Sequence, residues 1–494
     1  MKVTVTNKIK QYSILFLVIW IAFLLTSRGN MSSMNITSTV QSFMKLVIVV
    51  IIFIGSFLLT QKKNKEEILL QTVVLIGLTM RIGYMLYTPC TIRQHDLGLL
   101  SIQGEGHAGY ILHLLEGRLP NSNDIQYYHP PLFHALAAGM IKITRPFLIS
   151  NNIEQLIEAA KIVSCYASCL ILLMTKEICK ALNLKERATL IVVAQIAFLP
   201  NFYLLAGRIN NDALAIFFMI LIILYTIKWY EAPKLSYMIA LALGFGLGMM
   251  TKLSVGMLAL FTGSIMLLKL IESIKQGKGI GILKEYVLFG VIAIPLALWY
   301  PIRNYICFKQ PLLYVYDLKD TGEYYCGNLS FFERFIKLDL MHLLSPVYNN
   351  PRQDKSAPMY LLKGALFGEF NMGQDKLPRL LIMAYVILCI VTLWAVGYFI
   401  LNYRGKLVWR IGLPSVWALF YISYIGFNLR YPYSCTMDYR YIVPTALMGA
   451  IFLGVTSELI GEKEQGVLKK YYDKGLIGIM VVFSLLSISM YCSI

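Results

Sequence analysis

Leu380–Tyr403, LLIMAYVILCIVTLWAVGYFILNY, runs through 24 residues without one charged side chain. A helix needs about 20 apolar residues to cross the hydrocarbon core of a bilayer, so this run reads as a membrane span. Charge-free runs of the same kind recur at Ala188–Gly207, Leu235–Thr251, Ile411–Leu429 and Gly475–Ile494. With weaker candidates added, the same criterion gives about 13 spans. They fall near residues 11–27, 44–60, 67–87, 158–175, 187–206, 212–229, 235–251, 253–270, 285–303, 379–402, 410–429, 441–458 and 474–493. The chain is 57% hydrophobic and 15% charged, against ~25% charged for a soluble domain. The fold expected is an all-α polytopic membrane protein.

The net charge of +18 is explained by topology and gives no signal for nucleic acid. With the N-terminus cytoplasmic and an odd number of spans, the short inner segments collect the lysines and arginines: Lys2, Lys8 and Lys10; Lys62, Lys63 and Lys65; Lys176, Lys180, Lys185 and Arg187; and so on to Lys474. The short outer connections hold only Arg28, Arg208, Lys252, Arg430 and Arg440. Short loops rich in Lys and Arg stay on the cytoplasmic side. The first apolar run is followed directly by more spans and by no convincing cleavage site, so it reads as a retained helix. The expected localisation is the cell membrane, multi-pass, with the chemistry on the extracytoplasmic face.

Two outer segments, 88–155 and 304–376, are much longer than the rest, and long connections without spans usually carry function. In the first, Gly106–Glu116 and Pro130–Ile149 read as amphipathic or re-entrant surface helices. The second opens on two prolines, which suit a first helical turn. We expect the second loop to close over the site or select the acceptor. Cys90, Cys307, Cys326 and Cys435 fall outside, with no pairing legible. Gly244 and Gly248 lie at small-xxx-small spacing inside a span and read as helix packing; no strand precedes them, so they form no nucleotide loop.

The chemistry concentrates outside. Five of six histidines, His95, His107, His113, His129 and His134, share the first loop with Asp96, Glu105, Glu116 and Asp124. Ionisable groups crowded on one face of a membrane protein mark a site, although loops are polar in any case. A divalent metal on His95, Asp96 and His107 is one option, at spacings that match no standard template. The turn Gly207–Asp212 brings Asp212 to the outer face beside Asn211, where either residue also serves as a helix cap. Lys252, Arg303 and Arg440 sit at outer helix ends. Snorkelling explains any one of them, while three together suit a lipid phosphate.

In order along the chain, His95-Asp96, Gly106-His107-Ala108-Gly109-Tyr110, Gln126-Tyr127-Tyr128-His129-Pro130-Pro131, Arg208-Ile209-Asn210-Asn211-Asp212, Thr251-Lys252 and Arg303-Asn304 resemble the GT-C glycosyltransferases of the bacterial protein-mannosyltransferase-like group, which includes lipid A aminoarabinose transferases. The resemblance covers about residues 69–311 and recurs at 438–444. It implies residues 67–311 as the catalytic core, two added N-terminal helices within 1–66, and C-terminal helices over 377–494. It implies Asp96 as the catalytic carboxylate and Asp212 as its companion. His95, His107, Tyr110, Tyr128, His129, Asn211, Lys252, Arg303 and Arg440 are then candidate substrate-binding residues. The implied partners are a polyprenyl-phosphate-sugar donor, a glycan, lipid or protein acceptor, and membrane lipids. Protein mannosyltransferases carry an Asp-Glu pair in the first loop, whereas Leu97 follows Asp96 here, which weakens a protein acceptor. One base with cations, and no second nucleophilic carboxylate, points to inversion.

The competing readings are a transporter or flippase, a polysaccharide ligase or polymerase using a diphosphate donor, and a non-catalytic scaffold. Transport predicts charges near the bilayer midplane and inverted repeats; here the charges stand at outer helix ends and no repeat is evident.

Overall fold

The computed structural model describes residues 2–27, 34–61, 64–98, 106–120, 126–148, 152–316, 318, 322–345, 355–372, 376–463 and 467–494. Glu105, Asp124, Arg28, Lys62 and Lys63 lie outside the described residues. Every one of the thirteen expected segments is helical. The first three are α1 (Lys2–Ser27), α2 (Met34–Gln61) and α3 (Lys65–Tyr87). The first long loop folds into α4 (Gly106–Leu115), α5 (Leu132–Thr144) and α6 (Ile153–Glu158), close to the two surface helices expected there. Then come α7 (Lys161–Ala181), α8 (Glu186–Phe198), α9 (Pro200–Ala206), α10 (Asp212–Glu231), α11 (Leu235–Met249), α12 (Leu258–Lys275) and α13 (Gly279–Phe308). The second long loop carries α14 (Phe331–Phe335) and α15 (Ala357–Phe367), and α16 (Lys376–Asn402), α17 (Leu407–Arg430), α18 (Pro444–Lys463) and α19 (Val467–Ser493) complete the chain.

Among the described residues 11 helices are long and apolar enough to cross a membrane, or up to 12 if a bent pair counts as one span. The expectation of thirteen differs at two places. The segment 187–206 is broken between α8 and α9 by a 53° bend, because Pro200 cannot donate to the ladder. Buried Arg81 of α3 takes up the carbonyls freed near that break, donating to Ile196 O (2.7 Å) and Ala197 O (3.2 Å) as well as to Ser168 O (3.2 Å). Arg81, a cation inside a span, therefore has a structural role. The other exception is α11, whose 15 residues extend only about 22 Å.

Spans α7, α8, α10 and α18 form the buried centre, while α1, α2 and α13 keep large apolar side chains such as Phe53, Leu25 and Val291 exposed. A helix face turned to lipid needs no polar cover, so such exposure fits a membrane-embedded bundle. At one end of the bundle the basic residues pair with acids: Lys8 with Glu177, Lys176 with Glu67 (3.6 Å), Lys185 with Glu462 (2.5 Å) and Lys406 with Glu231 (2.5 Å). The two long loops, with α4, α5, α14 and α15, lie at the other end. All nine cysteines are free.

Candidate active site

Four backbone devices bring distant loop residues together at the loop end of the bundle. Buried Lys161 donates to the carbonyls of Met85 (2.9 Å) and Thr88 (2.6 Å), and Glu158 accepts from the Cys90 N–H (2.6 Å), so the chain leaving α3 is held tightly. Gln94 then clamps the turn before α10, donating to Gly207 O (2.9 Å) and accepting from the Ile209 N–H (2.8 Å). The first amides of α4 donate to the carbonyls of Asp96 and Leu97 (2.9 Å each). Gly106 makes that approach practicable: its φ is +60°, and a Cβ there would lie 2.4 Å from Asp96 O. Asp96 itself has φ 53° and Gln126 φ 74°, and non-glycine residues held in this region concentrate at functional sites. Finally Leu132 N–H donates to Met250 O (3.0 Å), tying α5 to the turn that carries Lys252.

The result is one cavity of about 640 Å³, lined by Asp96, His107, Gln126, Tyr128, His129, Asn211, Asp212, Lys252, Arg430, Arg440 and Tyr441. Asp212 starts α10, where a carboxylate suits the positive helix end, and it is 3% exposed. Lys252 Nζ stands 2.5 Å from Asp212 Oδ1 and 5.0 Å from the Tyr441 ring centre. Arg440 is the hub: Nη1 is 3.5 Å from Asp96 Oδ2 and 3.9 Å from Asp212 Oδ2, and Nε is 3.3 Å from Asp438 Oδ2. Asp96 alone of these acids is substantially open, at 42% exposure. Asn211 reaches back to Thr251 O (3.1 Å), fixing the Asp212 turn against the Lys252 turn. The second loop enters through Leu313–Val315, and Tyr314 meets Tyr128 edge-on at 5.7 Å.

His107 faces the cavity with Nδ1 2.9 Å from His134 Nε2. Burial lowers its pKa to about 4, against the opposing pull of Asp96 and Asp212. His129 and His134 are also pushed down by burial first, then by Lys252 and by His107 respectively. The Tyr128 phenol is raised by burial and by Asp96. Tyr110, expected to meet substrate, stands one layer back: its hydroxyl bonds Tyr300 (2.9 Å) and His129 O (3.1 Å), and its ring stacks on His134 at 3.9 Å. It supports the histidines and does not line the cavity.

Two further expectations are corrected. Arg303 is not a cavity residue: it donates to Asn304 Oδ1 (2.9 Å) and Pro120 O (3.4 Å) and lies against Tyr300 and Phe308. Its guanidinium secures the first loop to α13. His95 also points away, into a buried cluster. Its Nδ1 is 3.3 Å from Glu369 Oε2 and its Nε2 3.6 Å from Asp438 Oδ2, and its ring packs on Phe370 at 4.8 Å. Burial lowers the His95 pKa, followed by Arg208 and Arg440. Burial raises Glu369, with Asp438 adding to it, and burial raises Asp438 against the pull of Arg440 and Arg208. A neutral imidazole offers one N–H and one lone pair, so it can donate to only one of the two carboxyls that flank it.

Glu369 is the main residue absent from the sequence reading. It stands alone in Gly368-Glu369-Phe370 and reaches His95 from 274 positions away, with φ 72°. Together His95, Glu369 and Asp438 offer three ligand atoms within 4.8 Å of one another. His95, Asp96 and His107 form no such set among the described residues, because His107 turns Nδ1 to His134 and His95 turns away from Asp96.

Residues 128–302 match the protein family described as dolichyl-phosphate-mannose-protein mannosyltransferase. The stretch runs from Tyr128 through Asp212 and Lys252, and over that part of the chain the resemblance to GT-C glycosyltransferases of the protein-mannosyltransferase-like group is borne out. No curated protein matches. Among solved structures, the oligosaccharyltransferase AglB from Archaeoglobus fulgidus, in complex with an inhibitory peptide and a dolichol-phosphate, is 13% identical with a TM-score of 0.48, over 87% of this chain and 55% of that one. Its complex with Zn and sulfate gives 13%, 0.45, 86% and 53%. ArnT from Cupriavidus metallidurans bound to undecaprenyl phosphate is 11% identical with a TM-score of 0.45, over 86% of this chain and 74% of that one. The chain spans about half the length of the oligosaccharyltransferase structures.

Proposed function

We propose that this chain moves a sugar from a polyprenyl-phosphate donor to an acceptor hydroxyl at the extracytoplasmic face, with inversion. The observation that carries the proposal is the composition of the cavity at the loop end of the bundle. Its head holds an open carboxylate, Asp96, and three cations, Lys252, Arg430 and Arg440. Its walls are Ala215, Ile216 and Met219 of α10, Leu253 and Met257 before α12, and Ser423 and Phe427 of α17. Such a site fits an amphiphile whose phosphate stays at the head while its tail passes between helices.

In this reading Asp96 accepts the proton of the acceptor hydroxyl. The hydroxyl oxygen attacks the anomeric carbon as the bond to the phosphate oxygen breaks. Lys252 and Arg440 stabilise the charge that grows on the departing phosphate, and fixed cations in a partly dry site stabilise such charge strongly. Asp212 is not a second nucleophile, because Lys252 already occupies it in a buried pair. A single displacement follows, and with it inversion. His107, Tyr128 and His129 offer hydrogen bonds and faces to the sugar. Where a divalent ion takes part, we infer that His95, Glu369 and Asp438 hold it. The side chains fit, since His95 Nε2, Glu369 Oε1 and Asp438 Oδ2 are buried without a hydrogen-bond partner; such an ion would bring positive charge next to Arg440.

The test is a panel of radiolabelled polyprenyl-phosphate and polyprenyl-diphosphate sugars given to the protein in liposomes, with the anomeric configuration of the product read by NMR. Consumption of one monophosphate donor with inversion is the expected result. Consumption of the diphosphate alone transfers the protein to the ligase class, and movement of an intact donor across the bilayer without transfer makes it a flippase.

A further inference from the structure

A second cavity of about 670 Å³ lies between α12 and α17 toward the opposite end of the bundle. It is not separate in design from the first. On α17 the residues Gly412, Ser415 and Leu419 of the second cavity and Ser423, Phe427 and Arg430 of the first follow one another at intervals of three or four. That spacing is one continuous helix face. Across the gap, the facing side continues without a break from Met257 in the first cavity through Leu260 and Ser264 to Lys275 in the second. Small side chains line the face, and it is narrow at Gly412, where a Cβ would meet the Phe261 ring at 3.4 Å. From Arg430 to Leu407 the face extends about 35 Å along the helix axis, enough to cross a hydrocarbon core of about 30 Å.

We propose that this α12–α17 face seats the distal isoprenoid units of the donor, so that the second cavity selects lipids by tail length. The proposal rests on the lipid-phosphate reading above. Two features identify the occupant. The cations at the head of the first cavity fix an anionic headgroup at one membrane face, and the apolar face then runs to the other. An acyl chain of a phospholipid anchored at that face reaches only the middle of the bilayer, roughly half of the 30 Å core. A polyprenyl chain with its phosphate at Lys252 and Arg440 reaches the second cavity. The gain comes from packing, because the bilayer is as apolar as the groove and supplies no hydrophobic drive. The preference is therefore modest in size.

The test is native mass spectrometry of the purified full chain with undecaprenyl phosphate, geranylgeranyl phosphate and a palmitoyl-oleoyl phospholipid in competition. Wild type is expected to hold undecaprenyl phosphate at least about threefold more tightly than geranylgeranyl phosphate, a difference set by packing alone. Gly412→Leu and Ser415→Leu fill the groove and are expected to abolish that preference while geranylgeranyl phosphate binds as before, which also shows that the variants are folded. Equal binding of the two phosphates by wild type, or a preference that survives both substitutions, overturns the tail-length site and leaves the glycosyltransferase reading intact. Displacement of undecaprenyl phosphate by the phospholipid at equal concentration shows an ordinary lipid groove and overturns it as well. Failure of both lipid phosphates to bind removes both this proposal and the donor class on which it rests.

Discussion

Removing the Lys252 charge separates structural from catalytic roles in one experiment. In Lys252→Met the stem of the side chain remains, but Asp212 loses a partner at 2.5 Å while staying 3% exposed. Breaking one side of a buried ion pair costs about 3–5 kcal/mol. The low end, about 3 kcal/mol, applies here, because Arg440 stays 3.9 Å from the other Asp212 oxygen. Asp212→Asn leaves the ammonium, at 15% exposure, with less compensation and costs a similar amount. The double variant removes both charges, so its loss falls short of the sum by about 2 kcal/mol, as interacting neighbours do. Unfolding of the purified proteins in mixed micelles measures this cycle. Turnover behaves differently: every variant lacking Lys252 loses the cation facing the departing phosphate and slows by about 10²–10³-fold, and the double variant recovers stability without recovering rate. Additive losses of stability, or a double variant with restored turnover, refute the pairing.

Two further outcomes follow from the same site. Arg303→Ala is expected to keep kcat within about twofold, since Arg303 does not line the cavity, while the lost anchoring of Pro120 costs about 1 kcal/mol of stability; a loss of kcat near a hundredfold contradicts its placement outside the site. For pH, His107 is held neutral, with a pKa of about 4 in the fold against about 6.5 when unfolded. Between those values the unfolded chain binds the extra proton, so stability is full above about pH 6.5 and falls as pH drops toward 4. His107→Gln is expected to flatten part of that slope in thermal unfolding across pH 4–7, and an unchanged slope refutes the assignment.

The sequence was most informative where one physical rule acts alone. Apolar length located all thirteen helical segments, including α11 and the broken α8–α9 pair, but length says nothing of the bend that Pro200 imposes. Cations at helix ends were recognisable as a class. Which of them turn inward was not, because Lys252, Arg303 and Arg440 have the same local sequence character and differ only in what packs beside them. Asp96 and Asp212 were legible by position after and before spans. His95 looked equivalent to Asp96, yet alternate residues on a loop point in different directions, and His95 turned toward Glu369. That acid lies in a separate loop, where a single charged residue carries no signal until the fold brings it against His95 and Asp438. Tyr110 and Arg303 are corrected for the same reason: each reaches the layer behind the cavity.

The most direct measurement of the central claim is the rate of sugar transfer by wild type and Asp96→Asn, each shown to be correctly inserted. Among the described residues Asp96 is the open carboxylate beside Arg440, and removing a general base costs about 10²–10⁴-fold. We predict that wild type consumes a polyprenyl-phosphate sugar and that Asp96→Asn falls by at least about a hundredfold while still binding the donor. Equal rates for the two proteins contradict the assignment of Asp96 as the base, and the mechanism proposed for this cavity falls with it.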